Sequence, residues 1–256
     1  MFASRVDPDA NEGVGVVFTD RLGGQSSPPF DSLNLGRTDL DSPQDLRANL
    51  RAVQYEVGLE RIVFVHQVHG TNVLRVTETL AAGWTSDSWL GDRGETGVPL
   101  QVADAMVTRE RGVGLAIRVA DCLPVLFADA TVGVVGAAHA GRRGLLAGVL
   151  GATVTALRAE GARHIQAWLG PHICGQCYEL PEALCTPIVQ RYPQAATRTR
   201  WGSSGIDLAA VAAGQLSDLG VDLHRFDSCT RTEPALFSHR GDGPRTGRQV
   251  GLIWLA

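Results

Sequence analysis

Residues 112–161 read GVGLAIRVADCLPVLFADATVGVVGAAHAGRRGLLAGVLGATVTALRAEG, and the spacing of their apolar residues decides the fold class. GVGLAIRV, LPVLFAD and TVGVVGAA are short apolar runs bounded by turn residues, the pattern of strands buried on both faces. After His139 the chain turns through AGRRG, and Leu146, Leu150, Val154 and Leu157 recur at helical spacing. This predicts one helix that stops near Gly161. Strands, a glycine turn and a helix make an α/β plan with these strands at the heart of the core.

Working outward, SPQDLRANLRAVQYEVG supplies an N-cap at Ser42, a proline suited to the first helical turn at Pro43, and a stripe of Leu46, Leu50, Val53 and Val57. The segment predicts an amphipathic helix. RIVFVHQ and NVLRV, separated by VHGT, predict a hairpin with His66 and His69 near its end. Residues three apart on a strand face opposite sides, so only one of the two histidines points into a shared site unless the turn intervenes. Residues 81–97, AAGWTSDSWLGDRGETG, carry no period and predict a surface excursion. IDLAAVAAGQLSDLG predicts a further helix, and QVGLIWL an apolar closing strand. No internal repeat or low-complexity tract interrupts this order.

With 256 residues, 44% of them apolar and 20% charged, the chain suits one globular domain. Its 23 basic and 27 acidic residues give a net charge of −4 with no basic run, which argues against nucleic acid as a partner. The opening MFASRVDPDANEG lacks the basic-then-apolar plan of a signal peptide. The apolar stretch 113–140 is interrupted by Arg118, Asp121 and Asp129, short of the ~20 continuous apolar residues of a membrane span. We therefore expect a soluble, cytoplasmic protein with neither membrane nor obligate protein partner. Five thinly spread cysteines fit reduced thiols better than a disulfide framework.

Chemistry gathers in three separated segments: His69 in HQVHG, Cys122 in VADCLPV and His139 in AAHAGRRG, each at a strand end beside a turn. Taken singly, Cys122 fits a small buried hydrophobe and each histidine an ordinary core residue. Together they are the ligand types zinc prefers, and three protein ligands leave a fourth position for water or substrate. A competing chemistry makes Cys122 a thiolate nucleophile with His139 as its base, which leaves His69 without a role. Arg142 and Arg143 lie at the predicted helix start, where free backbone N–H groups attract a phosphate or carboxylate. GPHICGQCYELPEALC brings Cys174, Cys177 and Cys185 near His172, but without a second knuckle these read as loop cysteines that pack. Arg240, Arg245 and Arg248 sit among glycines in a cationic loop suited to covering a polar ligand.

In this order, SLNLGR (32–37), HQVHG, ADCLPVLFAD, HAGRRGLLAGVL, LGPHICGQCYEL, FSHRGDG and TGRQVGLIWL resemble the laccase-domain family, also called the polyphenol oxidase or purine nucleoside phosphorylase family. The resemblance runs nearly end to end. It implies a single α/β (α+β) domain over 1–256, with mixed β-sheets forming the core and flanking helices. It also implies a metal centre of His69, Cys122 and His139, so that His69 is chosen over His66. The activity it implies is zinc-dependent phosphorolysis of adenosine, inosine or methylthioadenosine, with adenosine deamination, on a small-molecule nucleoside and phosphate. By the same resemblance Asp121 relays protons beside catalytic Cys122 and His139, Arg143 holds phosphate, and Asn34, Gln67, Ser238 and Arg240 line the pocket. Copper (Cu2+) in place of Zn2+, with phenol oxidation, is an alternative, as is a cysteine hydrolase acting on a cell-wall nucleotide precursor. A purely structural metal is disfavoured, since structural zinc is normally closed by four protein ligands. The chain departs from the family pattern at Arg142, often Trp, and at His239, Arg240, Gly241 and Asp242, often Tyr-Arg-Arg-Asp.

Overall fold

Strands β1 (Phe2–Val6) and β2 (Val14–Thr19) precede helix α1 (Pro43–Val57), which starts as the sequence predicts: the Ser42 hydroxyl accepts the Asp45 N–H at 3.3 Å, and Pro43 occupies the first turn. Gly58, at φ 71°, ends it in the left-handed conformation that glycine adopts without a Cβ penalty. Then come β3 (Arg61–Val63), β4 (Val73–Arg75), α2 (Glu78–Ala82), β5 (Ala105–Thr108), β6 (Val113–Val119), β7 (Leu123–Asp129) and β8 (Val134–Ala140). Two helices follow, α3 (Arg142–Ala147) and α4 (Val149–Ala159). The remainder is β9 (Gln166–Leu169), α5 (Glu182–Arg191), β10 (Ala196–Arg198), β11 (Ser204–Ile206), α6 (Leu208–Asp218), β12 (Asp222–Arg225), α7 (His239–Asp242) and β13 (Gln249–Leu255). This is a computed structural model, and it describes residues 1–36, 41–83 and 100–256. Arg37 of SLNLGR and residues 84–97 of the expected surface excursion lie outside the described residues.

Two mixed sheets carry the fold, one ordered β1-β2-β13-β6-β3 and one ordered β12-β9-β7-β8-β5-β4, and β10 and β11 form a small pair. Strand alternation sets the layers. Val14, Val16 and Phe18 of β2, Leu115 and Ile117 of β6, and Leu126, Val135 and Ala137 of the other sheet pack together between the sheets. The opposite face of the first sheet, with Val17, Ala116, Val250 and Leu252, meets Leu46, Leu50 and Val53 of α1. The outer face of the second, with Val125, Phe127 and Ala138, meets Val154 and Leu157 of α4 and Val211 and Leu216 of α6. The result is a single α/β domain in helix, sheet, sheet, helix order. Each central strand is covered on both faces, so β7, β8 and β13 are buried throughout and mostly apolar instead of alternating.

Three expectations need correction. Residues 61–76 form no hairpin: β3 pairs parallel with β6 in one sheet and β4 parallel with β5 in the other, so the segment between them crosses from sheet to sheet. The helix after His139 is two helices, because Gly148 adopts φ 99° and redirects the chain. The excursion expected from Ala81 begins inside α2, with Ala81 fully buried.

Candidate metal centre

The two sheet crossings build the site. One runs from β3 to β4 and carries His69; the other runs from β6 to β7 through Ala120, Asp121 and Cys122. His139 lies near the end of β8, where odd-numbered residues such as Val135 and Ala137 face the space between the sheets, and Pro124 is its cross-strand partner. All three side chains therefore meet at the rim of that space. Their ligand atoms lie within 4.8 Å of one another, with His69 exposed, Cys122 partly buried and His139 buried. The Cys122 Sγ and His69 Nε2 are 3.7 Å apart, and the two imidazole rings meet edge to face with centroids at 4.6 Å. In a tetrahedral zinc site the sulfur and nitrogen ligands are separated by about 3.6 Å, so the residues fit such an ion. His66 is outside this cluster and forms an isolated bridge with Val102.

Asp104 organises the centre, and the sequence reading missed it. Fully buried just before β5, it accepts the Val68, His69 and Gly70 N–H groups at 3.1, 2.9 and 2.6 Å. This nest of donors holds His69 at φ 62°, a left-handed conformation uncommon outside glycine. The same carboxylate accepts His139 Nδ1–H at 2.8 Å, which leaves His139 Nε2 as the free ligand atom. Its one visible trace in the sequence is Val102-Ala103-Asp104, a repeat of the Val119-Ala120-Asp121 that precedes Cys122.

Burial pushes the Asp104 carboxyl up, but the His139 hydrogen bond and the Gly70 and Val68 N–H groups outweigh it and hold the pKa at about 2. Burial likewise opposes charge on His139, yet Asp104 and Cys122 raise it; burial raises Cys122, yet His139 and His69 bring it down. Each of the two therefore favours the charged form of the other. Gly141 permits the close approach: a Cβ there would meet the His69 ring, with Nε2 at 2.9 Å and the Cys122 Sγ at 3.0 Å. A Cβ on Gly144 would meet the Gly70 carbonyl oxygen at 2.8 Å.

Asp121, at φ 94°, is buried, and its carboxylate accepts the Thr230 hydroxyl at 2.6 Å, the Ser238 hydroxyl at 2.7 Å and the Arg240 N–H at 2.7 Å. Ser238 thereby spends its proton on Asp121. Asn34 is buried; its amide donates to Asp41 and accepts the Gly36 and Arg248 N–H groups. Gln67 exchanges two hydrogen bonds of 2.9 Å with the Arg118 backbone. Arg143 is exposed in the first turn of α3, a helix of only six residues. Its neighbour Arg142 is half-buried and acts with Arg240 on the Tyr178 hydroxyl, which also senses Cys122. The Arg240 guanidinium lies 5.0 Å from the Tyr178 ring centroid and donates to the Glu179 carbonyl. Arg248 is half-buried, and burial lowers its pKa against the opposing pull of Cys122 and Asp121. Tyr178 and Thr230 thus join the site from loops that no local pattern singles out, beside Arg142, which the predicted helix start did single out.

A family model described as multi-copper polyphenol oxidoreductase laccase matches residues 15–256. A purine nucleoside phosphorylase of Streptomyces coelicolor is 42% identical over 252 residues, spanning 96% of this chain and 98% of its own. Another of that name, from Escherichia coli, is 36% identical over 95% of each chain. Among solved structures, hypothetical protein YfiH of Bacillus licheniformis superposes with TM-score 0.86 at 28% identity, covering 99% of this chain and 97% of that one. A Neisseria meningitidis protein gives 0.79 at 36% identity over 98% of both. A fold, a His, Cys, His centre and a match along almost the whole chain agree: the protein belongs to the multi-copper polyphenol oxidoreductase laccase family.

Proposed function

We propose that His69, Cys122 and His139 hold zinc and that the protein is a purine nucleoside phosphorylase acting on adenosine, inosine and methylthioadenosine, with deamination of adenosine at the same centre. The observation that carries this reading is the three-ligand cluster standing beside Arg142, Tyr178 and Arg240. The relatives named purine nucleoside phosphorylase support it. When bound, zinc supplies Lewis acidity at a position left open to substrate or water. In phosphorolysis a phosphate oxygen bonds to C1′ as the glycosidic C–N bond breaks and the base leaves with a proton. Arg142 and Arg240 hold the phosphate, with Arg143 at the rim, as charge-assisted donors suited to its oxygens. Asp121 acts through position: by gripping Ser238, Thr230 and the Arg240 backbone it fixes the Cys122 turn against the cationic wall. Asn34 and Gln67 brace the same walls.

The test is product analysis of zinc-loaded protein with adenosine, inosine or methylthioadenosine, with and without phosphate. Free base and ribose phosphate should form only when phosphate is present, and adenosine should also give inosine. No phosphate-dependent base release sinks the phosphorylase, and no inosine sinks the deaminase. Copper in the same ligands, favoured by the family description, predicts stoichiometric copper and oxygen uptake on a phenol. The reading places the protein in the cytoplasm, where free thiols persist; all five cysteines are unpaired.

A second reading rests on the Asp104, His139, Cys122 chain, which has the order of a hydrolase triad, a poised thiolate, its base and an orienting carboxylate. It predicts hydrolysis of an amide that survives chelation and is abolished by Cys122→Ser.

A further inference from the structure

A second trio of metal-ligating atoms lies apart from His69, Cys122 and His139. Cys174 and Cys177 come from the loop between β9 and α5, and Cys229 from the loop between β12 and α7; their sulfur atoms all lie within 4.8 Å of one another. The loops meet because β9 and β12 are parallel neighbours, Leu169 beside Arg225, and leave the sheet at the same end. They then pair as a short extension: His172 N–H donates to the Ser228 carbonyl at 3.1 Å and Thr230 N–H to the His172 carbonyl at 3.0 Å. Cys185, expected with this group, lies instead on α5, in the core.

The local geometry brings three sulfurs to one point. Cys177 and Tyr178 N–H groups both close onto the Cys174 carbonyl, at 2.9 and 3.0 Å, giving the tight turn by which a C-x-x-C pair aims two sulfurs at one point. The Cys174 N–H donates to the Cys229 Sγ at 3.4 Å, and the Arg231 N–H and Thr232 hydroxyl also reach that sulfur. These donors favour charge on the Cys229 sulfur, while burial raises the Cys174 and Cys177 thiols. Arg231 spans the trio, its guanidinium donating to the Cys177 carbonyl at 3.3 Å. Three sulfurs leave an odd one in any disulfide, whereas one soft cation takes all three. Cys177 is buried and Cys174 and Cys229 half-buried, so a cation can reach the trio from the outer side.

We propose that Cys174, Cys177 and Cys229 form a second metal site that fastens the two loops together, a three-thiolate site for a thiophilic cation: copper(I), which three sulfurs satisfy, or zinc completed by a ligand other than protein. Its role is structural. The loops it joins carry Tyr178 and Thr230, and Ile173 N–H in the same segment donates to the Asp121 carbonyl at 3.0 Å. The proposal is independent of the reaction run at the first centre.

Metal-free, reduced wild-type protein is titrated anaerobically with cadmium, reading bound ions and thiolate-to-metal charge-transfer absorbance. Two ions per chain and a signal from four thiolates are expected; in Cys174→Ser and Cys229→Ser one ion remains, with the signal of one thiolate. Because those variants risk misfolding, wild-type protein is also alkylated at alkaline pH with zinc, with copper(I) and without metal, and the labelled peptides mapped. Protection of Cys174, Cys177 and Cys229 together by either ion supports the site and assigns the ion. Cadmium binding with the signal of one thiolate only, or labelling of these three at the metal-free rate with both ions, overturns it.

Discussion

The two cysteine-containing clusters reach similar spacing by opposite means. At His69, Cys122 and His139 the ligands come from strand ends and sheet crossings, and a fully buried carboxylate, Asp104, orients two of the three. At Cys174, Cys177 and Cys229 all ligand atoms are sulfur, on paired loops, and the groups that bear on them are backbone amides and a hydroxyl. The first arrangement fixes the His139 tautomer and the His69 backbone while leaving His69 exposed; in the second, His172 pairs with Cys229 through the backbone and the sulfurs themselves receive backbone N–H groups and a hydroxyl. The lesson is that a buried acid orients the groups of one cluster and leaves the other to backbone donors, a difference that sequence spacing alone does not carry.

Replacing a ligand should break the comparison most completely. His139→Ala is expected to lose metal at the first centre and reduce phosphate-dependent base release to background while the three-thiolate cluster still binds, measured by metal content alongside product analysis. Next, Asp104→Asn keeps the shape but weakens the orienting bond, and should lower metal affinity or turnover ~10–100-fold, the usual cost of losing an outer-shell partner. A Cβ added by Gly141→Ala meets His69 and Cys122; overpacking of this kind costs about 1–3 kcal/mol. A denaturant titration showing no loss, with unchanged metal affinity, would contradict that close approach.

The smallest effect is a pH contrast within the metal-free protein. Cys122 is brought down to about 6 once its two histidines outweigh burial, whereas burial pushes the Cys177 thiol up to about 12, with the Cys174 hydrogen bond adding to it. A lowered pKa keeps the thiolate as pH falls, so iodoacetamide should label Cys122 at a nearly constant rate from pH 9 down to about 6 and slow below that. Cys177 should label appreciably only in alkali. Equal pH profiles for the two residues would remove the electrostatic distinction between the clusters.

How much of this was legible beforehand follows from how far each signal is local. The α1 cap at Ser42 and Pro43, the β6 to β8 runs and the closing β13 are written in consecutive residues and appear where expected. His69, Cys122 and His139 could be grouped because each stands at a strand end beside a turn. Asp104 could not, since only the antiparallel pairing of β5 with β8 sets it opposite His139. Cys229 escaped for the same reason, its place being fixed by β9 and β12 running side by side. The mistaken hairpin at 61–76 shows the converse: two short strands with a turn between them look alike whether they pair together or cross between sheets.

The position of β13 has a consequence for synthesis. This last strand lies between β2 and β6, joining the N-terminal strands to the middle of the chain. Until residues 249–255 leave the ribosome, β2 and β6 lack the neighbour that satisfies their facing N–H and C=O groups, and their apolar faces have no completed sheet to cover. The chain must therefore keep those edges apart from other nascent chains until β13 has been made. Nascent chains stalled before Gln249 should be cut readily by protease within β2, and resistance there at that length would show that the first sheet closes by another route.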